Sequence, residues 1–223
     1  HSLGDGTYLW SIGDGGGSGD PFDNGQDIHN PLGTIQYFSY LNNTIQPVLN
    51  DYGNDTDYVL HYGLRNPWKF DTDNQGRLWI ADVGQYCYEE VNVVNILDKS
   101  NFGWSEREGM HAYDPSDDCT STPTQPDNSS LTDPVIEYPH TGGNCSITGG
   151  FWMDWGFESL RNSYVYGDFC TGSIWQTVET SNGWESSFVT TVGTFITGFG
   201  QGVNDELLIF SWTGEIYQIY QNN

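Results

Sequence analysis

The feature that most constrains this chain is a recurring unit of turn, short β-rich run and acidic stop. It is clearest in Gly63–Asn92, GLRNPWKFDTDNQGRLWIADVGQYCYEEVN, which holds Arg65, Lys69 and Arg77, half of the six basic residues. Gln75-Gly76 signals a turn, Arg77–Ala81 reads as an inner strand, and Asp82-Val83-Gly84-Gln85 ends it. The same grammar appears at Asp5–Asp14, and more loosely at Asn162–Asp168 and Asn204–Gln218. Helical periodicity is nearly absent, with Phe157–Leu160 the one candidate turn of helix, so the fold class predicted is all-β.

The unit starts, near Gly6, Gly76, Tyr164 and Leu207, are irregularly spaced, and the last interval is about 43 residues. A four-strand unit of that length predicts blades of a β-propeller with insertions, about four of them, in one partial propeller domain spanning 1–223. Within it, Asn30–Gly33 turns into an aromatic strand at Thr34–Leu41, and the chain closes on a hairpin of Glu206–Ser211 with Ile216–Tyr220. Residues 113–134 are rich in Pro, Ser, Thr and Asp and read as a surface insertion.

The net charge of −24 comes mainly from the scarcity of Lys and Arg. No basic stripe is present to displace counterions from phosphates, which argues against nucleic acid and against an anionic membrane surface. No run approaches the roughly 18 apolar residues of a membrane span. The chain starts at His1 rather than Met and is read as a mature piece or an excised fragment.

The four cysteines allow three pairings. Cys145 and Cys170 lie almost symmetrically about Phe157, so an antiparallel hairpin of Ile147–Met153 with Asn162–Tyr166 would bring their sulfurs together at its open end. Cys87 then pairs with Cys119. Without C-x-x-C spacing, this pattern predicts disulfides and an oxidising compartment, extracellular or, in a bacterium, periplasmic. Asn42, Asn54, Asn128 and Asn144 head N-x-S/T sequons and are candidate glycosylation sites.

A strand that stops at Asp-x-Gly places a carboxylate beside a bare backbone carbonyl, the oxygen chemistry that Ca²⁺ selects. Asp82, Gly84 and Gln85, with Glu89 and Glu90 following, are therefore candidate calcium ligands. The plain alternative is a glycine turn followed by a solvated acidic pair. The glycine-rich Gly13–Asp27 lacks the Gly-Lys-Ser/Thr ending of a phosphate loop and reads either as a blade connection or as a loop that approaches a ligand closely. Asp71–Gly76 has a faint D-x-D-x-x-G calcium spacing, which a hairpin turn explains better.

GLRNPWKF, LWIADVGQ, EEVN and NFGWSEREG, with SIGDGGGSGDPFDNGQD, EYPHTGGNCSITGG and YVYGDFCTGSIW, resemble blocks of the glucose/sorbosone dehydrogenase family, in family order. That family includes soluble pyrroloquinoline quinone (PQQ) sugar dehydrogenases and the propeller of hedgehog-interacting proteins. The resemblance implies a six-bladed fold, with PQQ seated over its axis and held by calcium. It places main-chain carbonyls matching Gly84-Gln85 on that calcium, Arg65-Asn66 near cofactor and substrate, and Glu89-Glu90 near a second, structural calcium. It places His140 close enough to the active site to contact a ligand. Arg65 could instead form a buried ion pair with Asp82.

The sequence also departs from the family. Its catalytic base is a His in a His-Asn-Gly-Gly block ahead of the segment matching Asp5–Asp14, and that block is absent here. His1 lacks the flanking motif, while His29, His61 and His111 read as satisfied neutral side chains. Ser173 stands where the family has an Arg, and Thr34 and Gln36 replace basic residues. The expectation is a secreted propeller that is catalytically incomplete and serves as a structural or binding module. Its open edges would be covered by other polypeptide, through a homo-oligomer or a filament. The alternative is the C-terminal part of a PQQ- and calcium-dependent dehydrogenase with a sugar ligand.

Overall fold

The computed structural model describes residues 1–48, 58–116, 119–124 and 130–220. The first sheet joins β1 (Thr7–Ile12), β2 (Thr34–Leu41), β3 (Thr44–Pro47) and β4 (Val59–His61), with β3 and β4 sharing one side of β2. The second contains β5 (Pro67–Thr72), β6 (Arg77–Asp82) and β7 (Tyr88–Asn95). A small ribbon of β8 (Arg107–Glu108) and β9 (His111–Ala112) follows before β10 (Ile136–Pro139) completes that sheet beside β7. The third runs in order through β11 (Ile147–Met153), β12 (Ser163–Asp168), β13 (Ser173–Thr180) and β14 (Gly183–Thr191). The fourth has three described strands, β15 (Ile196–Gln201), β16 (Leu207–Ser211) and β17 (Ile216–Gln218).

All paired strands in these sheets are antiparallel. Their first strands stand side by side, β5 touching β1 and β11, and β11 touching β15. The sheets therefore fan outward from those strands as propeller blades do, and about four blades are present, as the spacing predicts.

Three apolar cores fill the spaces between consecutive sheets, and β6 shows why. Its side chains alternate, so Leu78 and Ile80 pack toward the first sheet while Trp79 and Ala81 pack toward the third. A strand buried on both faces reads as a continuous apolar run, as Leu78–Ala81 does. Trp79 stacks on Tyr164 at 4.8 Å and on Trp152 at 5.3 Å, and meets Trp184 edge-on at 5.0 Å. Each such pair adds roughly 0.5–1.5 kcal/mol beyond its buried area. The last core joins Val165 and Ile174 of the third sheet to Ile196, Leu207 and Ile209 of the fourth.

Both disulfides form as paired from the sequence, Cys145–Cys170 at the open end of the β11–β12 hairpin and Cys87–Cys119 at the start of β7. Phe157–Leu160 contributes one 3₁₀ turn at Glu158–Leu160, and a second lies at Asn24–Gln26. The insertion at 113–134 is tied down at several described points. Thr124 N donates to the Met110 carbonyl, Thr132 N to that of Asn101, and Cys119 is bridged.

Candidate functional site

Two of the acidic stops, Asp82 and Asp168, have the same structural task. Asp82, at the end of β6, accepts hydrogen bonds from the backbone N–H groups of Arg65 (2.9 Å) and Asn66 (2.6 Å), the two residues just before β5. Asp168, at the end of β12, accepts from Cys145 and Ser146 (both 3.0 Å), just before β11. Each carboxylate thus fixes the entry to its own blade's innermost strand. Asp14 does something else, receiving the Trp104 indole N–H at 2.9 Å and Gly16 N at 2.9 Å.

The alternative of a direct Arg65–Asp82 ion pair does not form, because the Asp82 oxygens accept the peptide N–H groups of Arg65 and Asn66. The Arg65 guanidinium instead donates to the Val83 carbonyl at 2.9 Å and to Gln85 Oε1 at 3.1 Å. Among the described residues the Asn66 side-chain amide has no hydrogen-bond partner. Arg65 and Asn66 line an open cleft of about 390 Å³ with Ile12, Leu32 and the glycines at 13, 15 and 16. The glycine-rich loop is therefore one wall of the cleft as well as a blade connection.

The loop after β6 is organised by a residue that sequence reasoning missed. One carboxylate oxygen of Glu108 accepts the N–H groups of Gln85 (2.7 Å), Tyr86 (2.7 Å), Cys87 (2.8 Å) and Tyr88 (3.1 Å). No local pattern reports this, because the donors lie 20 to 23 residues upstream. Gly84 is obligatory here for lack of room, since a Cβ would stand 1.7 Å from the Tyr88 carbonyl oxygen. Among the described residues, no hydrogen bond reaches the carbonyls of Gly84 and Gln85.

Glu89 and Glu90 are buried, which corrects the reading of a solvated pair. Glu89 Oε1 lies 2.5 Å from His140 Nε2, and its Oε2 accepts Ile147 N at 2.8 Å. Burial raises the Glu89 pKa. For His140, burial opposes the charge, but the hydrogen bond and charge of Glu89 outweigh it and raise the pKa. This short contact holds the His140 ring against Glu89.

Glu90 accepts from Asn92 Nδ2 (2.7 Å) and Gly109 N (2.9 Å). With Asp82, Glu108, Arg65 and Arg107 it lines a cavity of about 10 Å³. Burial raises the pKa of both Asp82 and Glu90, and for Glu90 the facing Asp82 charge adds to it. Arg107 is buried here with Nε and Nη1 unpartnered, while its Nη2 donates to the Thr124 carbonyl at 2.8 Å.

Among the described residues no group of three or more His, Cys, Asp or Glu side chains is arranged to hold a metal ion. The oxygens that fit a hard cation are instead the bare carbonyls of Gly84 and Gln85. Glu89 does not fit a ligand set, because His140 and Ile147 occupy it.

The remaining candidates fall outside this site. His61 is fully buried, with Nδ1 accepting Ser100 N and Nε2 facing the Ile96 carbonyl, and burial holds its pKa down at about 4. His111 bridges Ser121 and Glu137. Asp73, in the faint calcium spacing, is a turn anchor, accepting Gln75 N and Arg77 N. Asn42 is exposed, Asn144 is half-buried beside the Cys145 bridge, and Asn54 and Asn128 lie outside the described residues.

The family model for glucose/sorbosone dehydrogenase matches residues 2–197. The chain belongs to that family. It is 31% identical over 216 residues to the HIPL1 protein of Arabidopsis thaliana, covering 86% of this chain and 30% of that one. The fold matches the PQQ-bound aldose sugar dehydrogenase of Streptomyces coelicolor with a TM-score of 0.66 at 17% identity, covering 91% of this chain and 52% of that one. A calcium structure of the Trichoderma reesei family AA12 enzyme gives a TM-score of 0.64 at 14% identity, over 97% and 65% of the two chains. These likenesses establish the propeller fold. The chain spans under a third of HIPL1 and about half of the Streptomyces dehydrogenase.

Proposed function

We propose that this stretch is the cation- and ligand-holding side of a glucose/sorbosone dehydrogenase-type propeller, acting outside the cytoplasm as a binding module. The observation that carries the reading is the pair of bare carbonyls at Gly84-Gln85, next to the Arg65 guanidinium and the free Asn66 amide. Gly84 O and Gln85 O would hold calcium, and Arg65 and Asn66 would contact PQQ or a sugar. When bound, such a quinone supplies hydride acceptance, and the chain's own contribution is orientation. Arg65 has a planar fork for carboxylate or quinone oxygens, and Asn66 can donate and accept. Oxidation would further need a general base to take the hydroxyl proton, and no His in these residues stands in the family's His-Asn-Gly-Gly setting.

An extracellular setting is supported by the two disulfides. Aromatic side chains on the outer face of the first sheet, Trp10 and Tyr40 among them, are exposed and support a covering polypeptide.

Calorimetric titration should detect calcium binding, and chelation should lower the melting temperature. With PQQ, calcium and aldoses, the 223-residue chain should reduce no dye above background. Robust turnover by the monomer would overturn the binding reading and favour the second one, the C-terminal part of a working sugar dehydrogenase, which the open cleft supports. An unchanged melting curve in excess chelator would remove the calcium.

A further inference from the structure

The convergence of the Gln85–Tyr88 amides on Glu108 has a consequence for their carbonyls. A peptide group points its N–H and C=O in opposite directions, so a loop that turns successive N–H groups onto one interior oxygen turns its carbonyls away from it. Gly84 and Gln85 are half-exposed, so their unpaired carbonyls are left to water or a cation, and a loop free to move would turn to pair them. Glu108 prevents that relaxation. It is buried, and three of its four contacts, those from Gln85, Tyr86 and Cys87, are of charge-assisted length. The Cys87–Cys119 bridge pins the same loop from the side, and the missing Cβ of Gly84 allows the chain to pass Tyr88.

We infer that Glu108 is a positioning residue for cation binding: by gathering the amides of residues 85–88 it holds the Gly84 and Gln85 carbonyls open as a ready-made oxygen pair. This rests on the calcium reading above and goes beyond it, by placing the preorganisation in a side chain that touches no cation. Outer partners of this kind commonly change metal affinity roughly 10- to 100-fold. Glu108→Gln keeps the shape and one acceptor oxygen but removes the charge, whereas Glu108→Ala removes the anchor.

The test pairs calcium titration with amide hydrogen exchange resolved over residues 85–88. In the wild-type chain those amides should be protected before any calcium is added, since Glu108 and not the ion orders them. Calcium affinity should fall at least about tenfold in Glu108→Gln and further in Glu108→Ala. Folding of both variants is checked by the near-ultraviolet signal of Trp79, Trp152 and Trp184, which lie in the core between the second and third sheets. Wild-type amides that become protected only on adding calcium would overturn the inference without any variant. Unchanged affinity in both folded variants would also overturn it, while leaving the calcium reading intact. A wild-type chain that binds no calcium would overturn the two together.

Discussion

Asp73 tests the reading of the central stretch most sharply, because a turn anchor and a calcium ligand respond differently to Asp73→Asn. One Asp73 oxygen accepts Gln75 N and Arg77 N, both at 2.9 Å; the other accepts Arg77 Nε at 2.6 Å and the buried Trp79 indole at 3.0 Å. An asparagine has one acceptor oxygen, so its NH₂ must confront one of these donor pairs whichever way it turns. Two hydrogen bonds to a charged acceptor are lost, each worth roughly 1.5–3 kcal/mol. Arg77, stacked near Trp79, Trp152 and Trp184, then keeps only the exposed Glu179 as an ionic partner. Allowing for non-additivity, the cost is about 3–5 kcal/mol. For a chain of this size that is roughly 10 °C in melting temperature.

The assay is urea unfolding of both proteins with and without chelator. Burial alone would raise the Asp73 pKa, but the bonds from Arg77, Trp79 and Gln75 overcome it and lower it. The stabilisation is therefore complete above the ordinary value of 3.8 and declines as pH falls through the lowered one, so the two proteins should converge in strong acid. A loss under about 1 kcal/mol at neutral pH would refute the anchor, given the bond energies above. So would a loss that chelator abolishes.

Three further outcomes follow from the site. With calcium chelated, stability should fall as pH rises from the ordinary Asp and Glu values, 3.8 and 4.5, through neutrality, because the raised Asp82 and Glu90 pKa values make the folded state bind more protons there. Asp82→Asn should flatten that slope in pH-dependent melting. Gly84→Ala should give no stable fold or cost more than about 4 kcal/mol, because its Cβ would fall 1.7 Å from backbone; a melting curve like the wild type would contradict the loop geometry. Replacing Cys145 and Cys170 together by Ser should cost about 3.5 kcal/mol in denaturant unfolding, the loop-closure entropy of a bridge spanning 25 residues.

What could be read from the sequence was the part encoded over short distances. Leu78–Ala81 announces a doubly buried strand, and the symmetry of Cys145 and Cys170 about Phe157 announces a hairpin. The acidic stops at Asp82 and Asp168 were visible as a pattern, but their work as clamps on the entry to the first strand was not, since it depends on two strands meeting edge to edge. Glu89 and Glu90 looked solvated because adjacent charges usually are; His140 lies 51 residues away and neutralises one of them. Arg65 beside Asp82 suggested an ion pair by type. The fold instead gave the carboxylate to Arg65's own amide and the guanidinium to Gln85. Glu108 carried no signal, because an oxygen shared by amides from a distant loop has no period.

The three cores between four sheets also set how this stretch comes apart. Apart from the Trp68 indole, which reaches the Thr197 carbonyl of the fourth sheet, the sheets pack on their immediate neighbours, so cooperativity runs mainly along a line and the energy of any one element is counted in walls shared. The second and third sheets share two walls each, and among these residues the first and fourth share one. Fluctuations should therefore enter at either flank and die out toward Trp79, where the aromatic stack joins the two doubly walled sheets. The loop held by Glu108 and the Arg65–Asn66 entry both spring from the second sheet. The candidate binding groups of the second sheet thus sit where local opening is rarest, while the facing wall of their cleft, Ile12 to Gly16 and Leu32, belongs to a flank that opens more readily.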